Sequence, residues 1–276
     1  MTQVSSAFVS DLDGTLVHAL RTLPAEQQAV AVVVEHYQGR PITVAHEQTI
    51  GALAQLGAHA RFVPATTRSV GQLQRVTPIW DRIAEQWAIC ANGATILHRG
   101  LPDEDWRRTV ARRASAVATL EQVRSALARE LGDPDDVPWL GDWRPCDSHF
   151  VYAVCDPDVM PAGIDKQAGR AVEPLGWVAV RHGRKLYVLP GHLTKRAAAE
   201  HLMGRLGIDR IVAAGDSPLD LDLLRLADRA WVPVGSELDQ AGAVPPDAEL
   251  TVRAHIDSGR QIAFEALDDA TRFAVS

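Results

Sequence analysis

Residues 8–16 read FVSDLDGTL, an apolar run that leads directly into two carboxylates and a glycine. This stretch predicts a buried strand that ends abruptly and presents Asp11 and Asp13 at its carboxyl end, where ligands bind in open α/β sheets. Gly14 allows the chain to turn sharply at that point. Two carboxylates so close together repel each other, so the pair favours a bound cation, a shared proton or both. The alternative is a simple strand-terminating turn, because Asp and Gly are common turn residues.

The composition narrows the class of protein. The chain has 276 residues, 46% of them hydrophobic, and a net charge of −7. This size predicts one or two domains, and the absence of a basic cluster argues against a nucleic-acid partner. No apolar run approaches the ~20 residues that cross a bilayer, and residues 1–6 lack the basic flank of a signal peptide. The three cysteines show neither metal-ligand spacing nor a disulfide pattern. We therefore expect a cytoplasmic protein with no membrane partner, and the composition predicts no particular oligomeric state.

Two segments after the first strand predict a parallel sheet. Residues 43–57 have the apolar spacing of a helix, and residues 61–65 read as a second strand that leads into Thr66, Thr67 and Arg68. A strand, a crossover helix and another strand form a βαβ unit, which implies a parallel sheet. The preceding polar stretch is compatible with a strand or a hairpin.

The same pattern returns near the end of the chain. Residues 194–207 predict an amphipathic helix, residues 211–215 a buried strand and residues 259–267 a last helix. This strand ends in Asp216, with Asp220 four residues further on. The fold class is therefore α/β, with a Rossmann-like parallel-sheet core.

The segment between these two parts of the chain has a different pattern of predicted strands and helices. Short antiparallel strands and an amphipathic helix are predicted at residues 85–91, 94–98, 112–131, 149–154 and 178–189. Asn92 and Gly93 would form the turn of the first hairpin. We expect an inserted α+β domain at residues 73–189 and a core made of residues 1–72 and 190–276.

Polar side chains follow three of the predicted parallel strands, and all three strand ends lie along one edge of such a sheet. These side chains are Asp11, Asp13, Thr66, Asp216 and Asp220. Grouped carboxylates with oxygen-only partners suit a hard cation such as Mg²⁺. As a single residue, Thr66 fits the start of a loop better than a catalytic role. Ser217 and Asp220 also fit a Ser-x-x-Asp capping pair, which would use the Asp220 carboxylate to begin a helix.

Lys195 is one of only three lysines in a chain that has 25 arginines. It falls in the first turn of a predicted helix, where the helix dipole disfavours a cation by ~0.3–1 kcal/mol. A lysine in an unfavourable position of this kind indicates that it serves an anion.

Together these segments resemble the four sequence motifs of the haloacid dehalogenase (HAD) superfamily. Residues 11–15 resemble the first motif, Thr66 the second, Lys195 the third and residues 215–220 the fourth. The insertion between the second and third motifs resembles the branch with a large α/β cap domain, which includes sugar-phosphate phosphatases. Asn92, followed by Gly and Ala, looks like a sequence often found in this branch just after its second motif.

The resemblance implies a Mg²⁺-dependent phosphatase that acts on a small phosphorylated metabolite, with a sugar phosphate as the first expectation. Asp11 would attack the phosphorus and become an aspartyl-phosphate. Asp13 would protonate the leaving oxygen and then deprotonate the hydrolytic water. Thr66 and Lys195 would hold the phosphoryl oxygens.

The resemblance also implies metal and substrate contacts. The metal would lie between Asp11, the backbone carbonyl of Asp13 and Asp216. Asp220 would be a direct ligand or would belong to the layer of residues around the ligands. The implied substrate contacts are Gly14, Thr67, Arg68 and Asn92. Arg68 would reach a second anionic group or pair with a carboxylate of the cap domain.

Two positions depart from the family pattern. Thr67 stands where many relatives have Gly, and Leu219 stands where the fourth motif often has Asn. The second departure leaves the role of Asp220 open. Two alternatives to a phosphatase remain at this stage: a phosphosugar mutase or phosphotransferase with the same nucleophile, and a binding protein that keeps the fold but is catalytically weak.

Overall fold

The apolar runs of the sequence form strands in the computed structural model, which describes residues 5–82 and 86–275. In chain order the strands are β1 (Ser6–Ser10), β2 (His18–Ala19), β3 (Ala31–Tyr37), β4 (Arg40–His46), β5 (Arg61–Pro64), β6 (Trp87–Cys90), β7 (Thr95–His98), β8 (Leu101–Pro102), β9 (Arg144–Cys146), β10 (Phe150–Val154), β11 (Trp177–His182), β12 (Lys185–Pro190), β13 (Arg210–Ala214), β14 (Arg229–Val232) and β15 (Ala248–Leu250). Two expectations fall partly outside the described residues: the absence of a signal peptide, which concerns residues 1–4, and the strand predicted to begin at Glu85.

The helices alternate with these strands in the manner of an α/β protein. In chain order they are α1 (Ala25–Gln28), α2 (Glu47–Leu56), α3 (Val70–Leu73), α4 (Thr77–Trp80), α5 (Glu104–Ala114), α6 (Leu120–Leu131), α7 (Ile164–Val172), α8 (Lys195–Leu206), α9 (Leu221–Leu224), α10 (Glu237–Gln240) and α11 (Ile256–Val275). Short 3₁₀ turns cover Leu20–Thr22, Ala91–Gly93, Glu173–Leu175 and Pro218–Asp220. Across the described residues, no helix has both the length and the apolar composition that crossing a bilayer requires.

The strand β1 lies between β13 and β5 in a parallel sheet of order β15-β14-β13-β1-β5. All of its residues are buried, as expected for an apolar strand covered on both faces. Val9 of β1 is opposite Ala213 of β13 and Val63 of β5, so these three strands end at the same level. The predicted fold class, an α/β protein with a parallel-sheet core, is confirmed.

A hairpin of β3 and β4 precedes the first long helix. Together with β2 it forms a small antiparallel sheet of order β2-β4-β3. The helix predicted from residue 43 therefore begins later, at Glu47. The reason is local: His46 ends β4 with an extended backbone, and its Nδ1 accepts a hydrogen bond of 3.1 Å from the backbone N–H of Gln48, which caps α2.

The chain divides into two compact units, and the division differs from the predicted domain boundaries. The first unit is Met1–Asp103 with Lys195–Ser276, and the second is Glu104–Thr194. The segment from residue 73 to residue 103 was expected in the inserted domain but belongs to the first unit. The physical reason is packing, because apolar side chains of this segment are buried in the same core cluster as Phe8 of the central sheet. These side chains are Leu73, Val76, Ile79, Trp80, Ala88, Cys90 and Leu97.

The second unit combines an antiparallel sheet of order β11-β12-β10-β9 with α5, α6 and α7. Its hairpin pairs Val180 with Tyr187, close to the predicted pairing. The single helix predicted over residues 112–131 is two helices. The break arises because Thr119 forms a capping box with Gln122, accepting a hydrogen bond from its backbone N–H at 3.3 Å and donating its own to the side chain at 2.8 Å.

Candidate active site

The carboxyl end of β1 places Asp11 in the interior of the first unit. The backbone N–H of Asp11 donates to the carbonyl of Ala214 at 2.9 Å, which continues the pairing of β1 with β13. On the other side of β1, the backbone N–H of Ala65 donates to the carbonyl of Ser10 at 2.7 Å. The ends of β5 and β13 are therefore held on either side of Asp11, which is itself buried.

Lys195 is the first residue of α8 and is only 1% exposed. Its Nζ lies 2.5 Å from Oδ1 of Asp11 and 2.6 Å from Oδ1 of Asp220. The ammonium therefore sits between two buried carboxylates. This arrangement explains a lysine at a position that the helix dipole disfavours, because two full negative charges outweigh the partial positive charge of a helix N-terminus.

The pKa values follow from this packing. Burial raises the pKa of Asp11 to about 7; Lys195 opposes this rise, and the carboxylates of Asp220 and Asp13 add to it. For Lys195, burial alone would lower the pKa, but Asp11 and Asp220 outweigh that effect and raise it above its ordinary value. The lysine therefore stays charged at neutral pH and remains a fixed positive charge beside Asp11.

Asp220 has a partner for each of its carboxylate oxygens. Oδ1 accepts from Lys195, and Oδ2 accepts from the backbone N–H groups of Asp216 and Ser217 at 3.2 and 3.1 Å and from the Ser217 hydroxyl at 2.8 Å. The capping pair that the sequence suggested is therefore formed, around the 3₁₀ turn Pro218–Asp220. The pair lies inside the carboxylate cluster, so Asp220 caps the turn and also belongs to the site. These hydrogen bonds hold the Asp220 side chain in one orientation.

Three of the predicted carboxylates come together. Asp11, Asp216 and Asp220 are all buried, and each offers an oxygen that lies within 4.8 Å of the other two. Gly14, which has a φ of +88°, makes room for this cluster, because a Cβ at that position would collide with the Asp216 carboxylate. An all-oxygen donor set carrying several negative charges fits a hard divalent cation such as Mg²⁺. Asp11 and Asp216 have the clearest capacity to bind it, because both oxygens of Asp220 already accept hydrogen bonds.

The Asp13 carboxylate does not join this cluster and instead forms a bidentate ion pair with Arg68. Nε of Arg68 lies 2.6 Å from Oδ2 of Asp13, and Nη2 lies 2.7 Å from Oδ1. Asp13 was included among the metal ligands through its backbone carbonyl, and that contact stays a prediction. Its side chain is 44% exposed, so it remains accessible to solvent and to a reactant.

Arg68 was expected to contact a second anionic group or a carboxylate of the inserted domain. It is instead engaged within the first unit, by Asp13 and by Glu35 of β3, whose Oε2 accepts from Nη1 at 2.8 Å. Burial alone would lower the pKa of Arg68, but these two carboxylates outweigh it and raise the pKa. Its guanidinium is therefore a partner of Asp13 rather than a free anion-binding group.

The remaining predicted contacts follow β5 and β6. Thr66 is fully buried, and its Oγ1 accepts a hydrogen bond of 3.1 Å from the backbone N–H of Arg68, so it both begins the loop and organises it. Its carbonyl accepts from the backbone N–H of Asn92 at 3.0 Å. Asn92 is buried in a left-handed conformation, with a φ of 51°. Thr67 is half-buried beside them. Contacts of Thr67 and Asn92 with a substrate stay predictions.

Glu35 is the residue of this region that the sequence argument missed. It is 1% exposed, and it contacts Arg68, Arg75 and Thr43. The sequence signal for a buried, paired carboxylate is a single Glu within the strand sequence AVVVEHY, which is rich in β-branched residues. A charged residue in such a strand is buried only when it is paired, and its partners are far away in the sequence.

No protein-family model matches the chain, and no curated protein matches it. Solved structures do match over nearly the whole length. The sucrose-phosphatase of Synechocystis, determined in complex with sucrose and phosphate, is 17% identical with a TM-score of 0.66, covering 98% of this chain and 99% of that chain. A protein of Thermoplasma acidophilum is 14% identical with a TM-score of 0.61, covering 95% of this chain and 98% of that one.

A third matching structure is described as a member of the HAD superfamily. A sugar phosphatase of HAD subclass IIB is 14% identical with a TM-score of 0.60, covering 98% of this chain and 100% of that chain. The chain therefore shares its fold with these phosphatases, and the fold that the resemblance to the HAD superfamily implies is confirmed.

Proposed function

We propose that the protein is a Mg²⁺-dependent phosphatase that hydrolyses a small phosphorylated metabolite through an aspartyl-phosphate on Asp11. The observation that carries this proposal is the position of the buried Lys195 ammonium between Asp11 and Asp220, with Asp216 in the same cluster. A buried carboxylate beside a fixed cation at the end of a parallel strand is suited to attack an anionic phosphoryl group, because the cation offsets the approaching negative charge.

The first half of the reaction would proceed as follows. An oxygen of Asp11 attacks the phosphorus, a new O–P bond forms, and the bond from phosphorus to the leaving oxygen breaks with its electron pair on that oxygen. Asp13 gives its proton to the leaving oxygen. Mg²⁺, bound by Asp11 and Asp216, would supply positive charge that offsets the charge of the transferring group. In the second half, Asp13 takes a proton from water, which attacks the phosphorus and releases Asp11.

Thr66 and Lys195 would hold the phosphoryl oxygens. The Thr66 hydroxyl accepts a hydrogen bond from the backbone of Arg68, so its own proton is available for donation to an oxygen. Lys195 uses two of its protons on carboxylates and has a third to donate. Thr66 follows the central strand β5, and Lys195 begins α8 and contacts both Asp11 and Asp220, which gives the two groups fixed positions.

The substrate class we propose is a sugar phosphate. The support is the set of structural neighbours, among them a sucrose-phosphatase in complex with sucrose and phosphate, a sugar phosphatase and a protein related to trehalose-6-phosphate phosphatase. We also propose a cytoplasmic location, because Cys90, Cys146 and Cys155 form no disulfide within the described residues, as is usual in a reducing compartment.

The test is phosphate release from para-nitrophenyl phosphate and from a panel of sugar phosphates, with Mg²⁺ and after its removal by a chelator. We expect turnover that depends on Mg²⁺ and is lost in Asp11→Asn, and a phosphorylated Asp11 peptide in acid-quenched wild-type reactions. Asp222→Asn is the matched control, because Asp222 is a half-exposed carboxylate of α9. Turnover that survives Asp11→Asn would contradict the covalent route, and isomerisation of a sugar bisphosphate without phosphate release would indicate a mutase.

A further inference from the structure

Glu35 is a buried carboxylate whose interactions lead to the active-site region. Its Oε2 accepts hydrogen bonds from the Thr43 hydroxyl and from Nη1 of Arg68, both at 2.8 Å. Its Oε1 accepts from Nε of Arg75 at 2.9 Å. Both carboxylate oxygens are thus engaged by neighbouring side chains, and two of these neighbours are cationic.

The backbone of the β3–β4 hairpin aims Glu35 at these partners. The pairing of β3 with β4 is irregular on both sides of Glu35, between Val33 and Glu35 and again between Glu35 and His36. An irregularity of this kind redirects a side chain out of the regular alternation of a strand, and such features recur next to active sites. The hairpin therefore presents Glu35 to the interior, directly opposite Thr43.

Arg68 connects Glu35 to Asp13. Three nitrogens of its planar guanidinium are used: Nη1 faces Glu35, while Nε and Nη2 face the two oxygens of Asp13. Because the group is rigid, holding one side of it also sets the position of the other. Arg68 cannot turn away from Asp13 without leaving the Glu35 carboxylate buried and short of a partner.

Asp13 is the group that benefits from such an anchor. Its carboxylate is 44% exposed and follows a strand end, whereas the other site carboxylates are buried. A half-exposed side chain has freedom to rotate, and proton transfer requires a fixed position. Each Asp13 oxygen accepts one hydrogen bond from Arg68 and keeps another lone pair for a proton.

We propose that Glu35 is a positioning residue, which acts through Arg68 to hold the Asp13 carboxylate in the orientation that proton transfer to the leaving oxygen requires. This inference rests on the proposed phosphatase function, with Asp13 as the proton carrier. If Glu35 had a purely structural role, its ion pairs would only attach the β3–β4 hairpin to the rest of the first unit. The two roles differ in how they depend on the leaving group.

The experiment compares kcat/KM for three aryl esters whose phenols become progressively less acidic: dinitrophenyl, para-nitrophenyl and phenyl phosphate. A strongly acidic phenol departs without a proton, whereas phenol itself needs one from Asp13. For Glu35→Gln we expect a loss of about 10- to 100-fold with phenyl phosphate and of less than about threefold with dinitrophenyl phosphate. The parameter kcat/KM is used because it reports the step in which the ester bond breaks.

Two further variants keep the test decisive. Arg75→Gln removes an ion pair from the other oxygen of Glu35 without touching Arg68, and we expect it to lower all three rates by a similar, small factor. Arg68→Lys keeps the charge beside Asp13 but loses the bidentate contact, so it should show the leaving-group dependence that we expect for Glu35→Gln. It therefore provides the test if Glu35→Gln does not fold.

The outcomes separate the two proposals. Equal losses across the three esters in Glu35→Gln and Arg68→Lys, or no loss in either, overturn the positioning role while leaving the phosphatase function intact. A wild-type protein that releases no phosphate from any of the esters in the presence of Mg²⁺ overturns the proposed function and the role of Glu35 with it.

Discussion

The Nζ of Lys195 lies 2.5 Å from Oδ1 of Asp11, in a site where the lysine side chain is 1% exposed. The two residues are 184 positions apart in the chain, and the contact joins the start of α8 to the end of β1. Because Nζ also contacts Asp220, one ammonium is shared by two buried carboxylates. This contact links the stability of the core to its proposed chemistry.

Replacing Lys195 with methionine removes that charge and leaves Asp11 and Asp220 facing each other. We expect the free energy of unfolding to fall by about 3–5 kcal/mol, because a buried charge network loses its counter-ion. Phosphate release should fall by at least ~100-fold. Urea denaturation and steady-state kinetics measure the two effects. Arg196→Met is the control, since Arg196 pairs with Glu200 on the surface and such pairs contribute at most about 1 kcal/mol. Equal behaviour of the two variants would contradict the central place of Lys195.

The positions of Asp216 and Asp220 predict unequal effects on Mg²⁺. Asp216→Asn should weaken Mg²⁺ activation by more than ~100-fold, because it removes a proposed metal ligand. Asp220→Asn should weaken it by ~10–100-fold, because Asp220 orients its neighbours through hydrogen bonds. Titration of activity with Mg²⁺, and calorimetric Mg²⁺ binding, measure this order. A larger loss in Asp220→Asn than in Asp216→Asn would show that the ligands are assigned the wrong way round.

Gly14→Ala is expected to combine backbone strain with a clash at the site. Gly14 has a φ of +88°, and the added methyl group would press on the Asp216 carboxylate. Gly39, in the turn of the β3–β4 hairpin, has a φ of +75° and no neighbour within 4 Å of an added Cβ, so Gly39→Ala isolates the strain. That variant should lose about 1 kcal/mol of stability and keep its activity. Gly14→Ala should lose more stability and also bind Mg²⁺ more weakly. Unchanged Mg²⁺ binding in Gly14→Ala would mean that Asp216 has room to move aside.

A buried histidine next to the site predicts the dependence of stability on pH. Burial lowers the pKa of His18 to about 4; His255 adds to this effect, and Asp13 opposes it. An unfolded histidine has a pKa of about 6.5, so the unfolded chain binds more protons between these values. The contribution of His18 to stability is therefore present above pH ~6.5 and is lost as the pH falls towards ~4. Between pH 7 and pH 5 we expect a loss of about 2 kcal/mol from this group.

Urea denaturation of the wild type and of His18→Gln at both pH values tests this expectation. The difference between pH 7 and pH 5 should be smaller in the variant by that amount. His36→Gln is the control, because His36 is exposed on β3. An identical pH dependence in His18→Gln and in the wild type would rule out His18 as its source.

Much of the site could be predicted because it depends on local patterns. Apolar runs that stop at Asp11, Thr66 and Asp216 determine parallel strands with polar ends, and parallel strands bring those ends to one edge of the sheet. The lysine in an unfavourable helix position lies beside two anions, which are carboxylates of the chain itself, and its contact with a phosphoryl group stays a prediction.

Only the tertiary structure decided the partners of Asp13 and the extent of the inserted unit. Arg68 contacts Asp13 across 55 positions and Glu35 across 33, and no periodicity of the sequence encodes such pairs. In the same way, residues 73–103 belong to the first unit because their apolar side chains fill the core beside Phe8. Local patterns determine which segments form strands and where they end. Pairings between distant side chains depend on how packed elements approach one another, and that becomes definite only when the whole chain is folded.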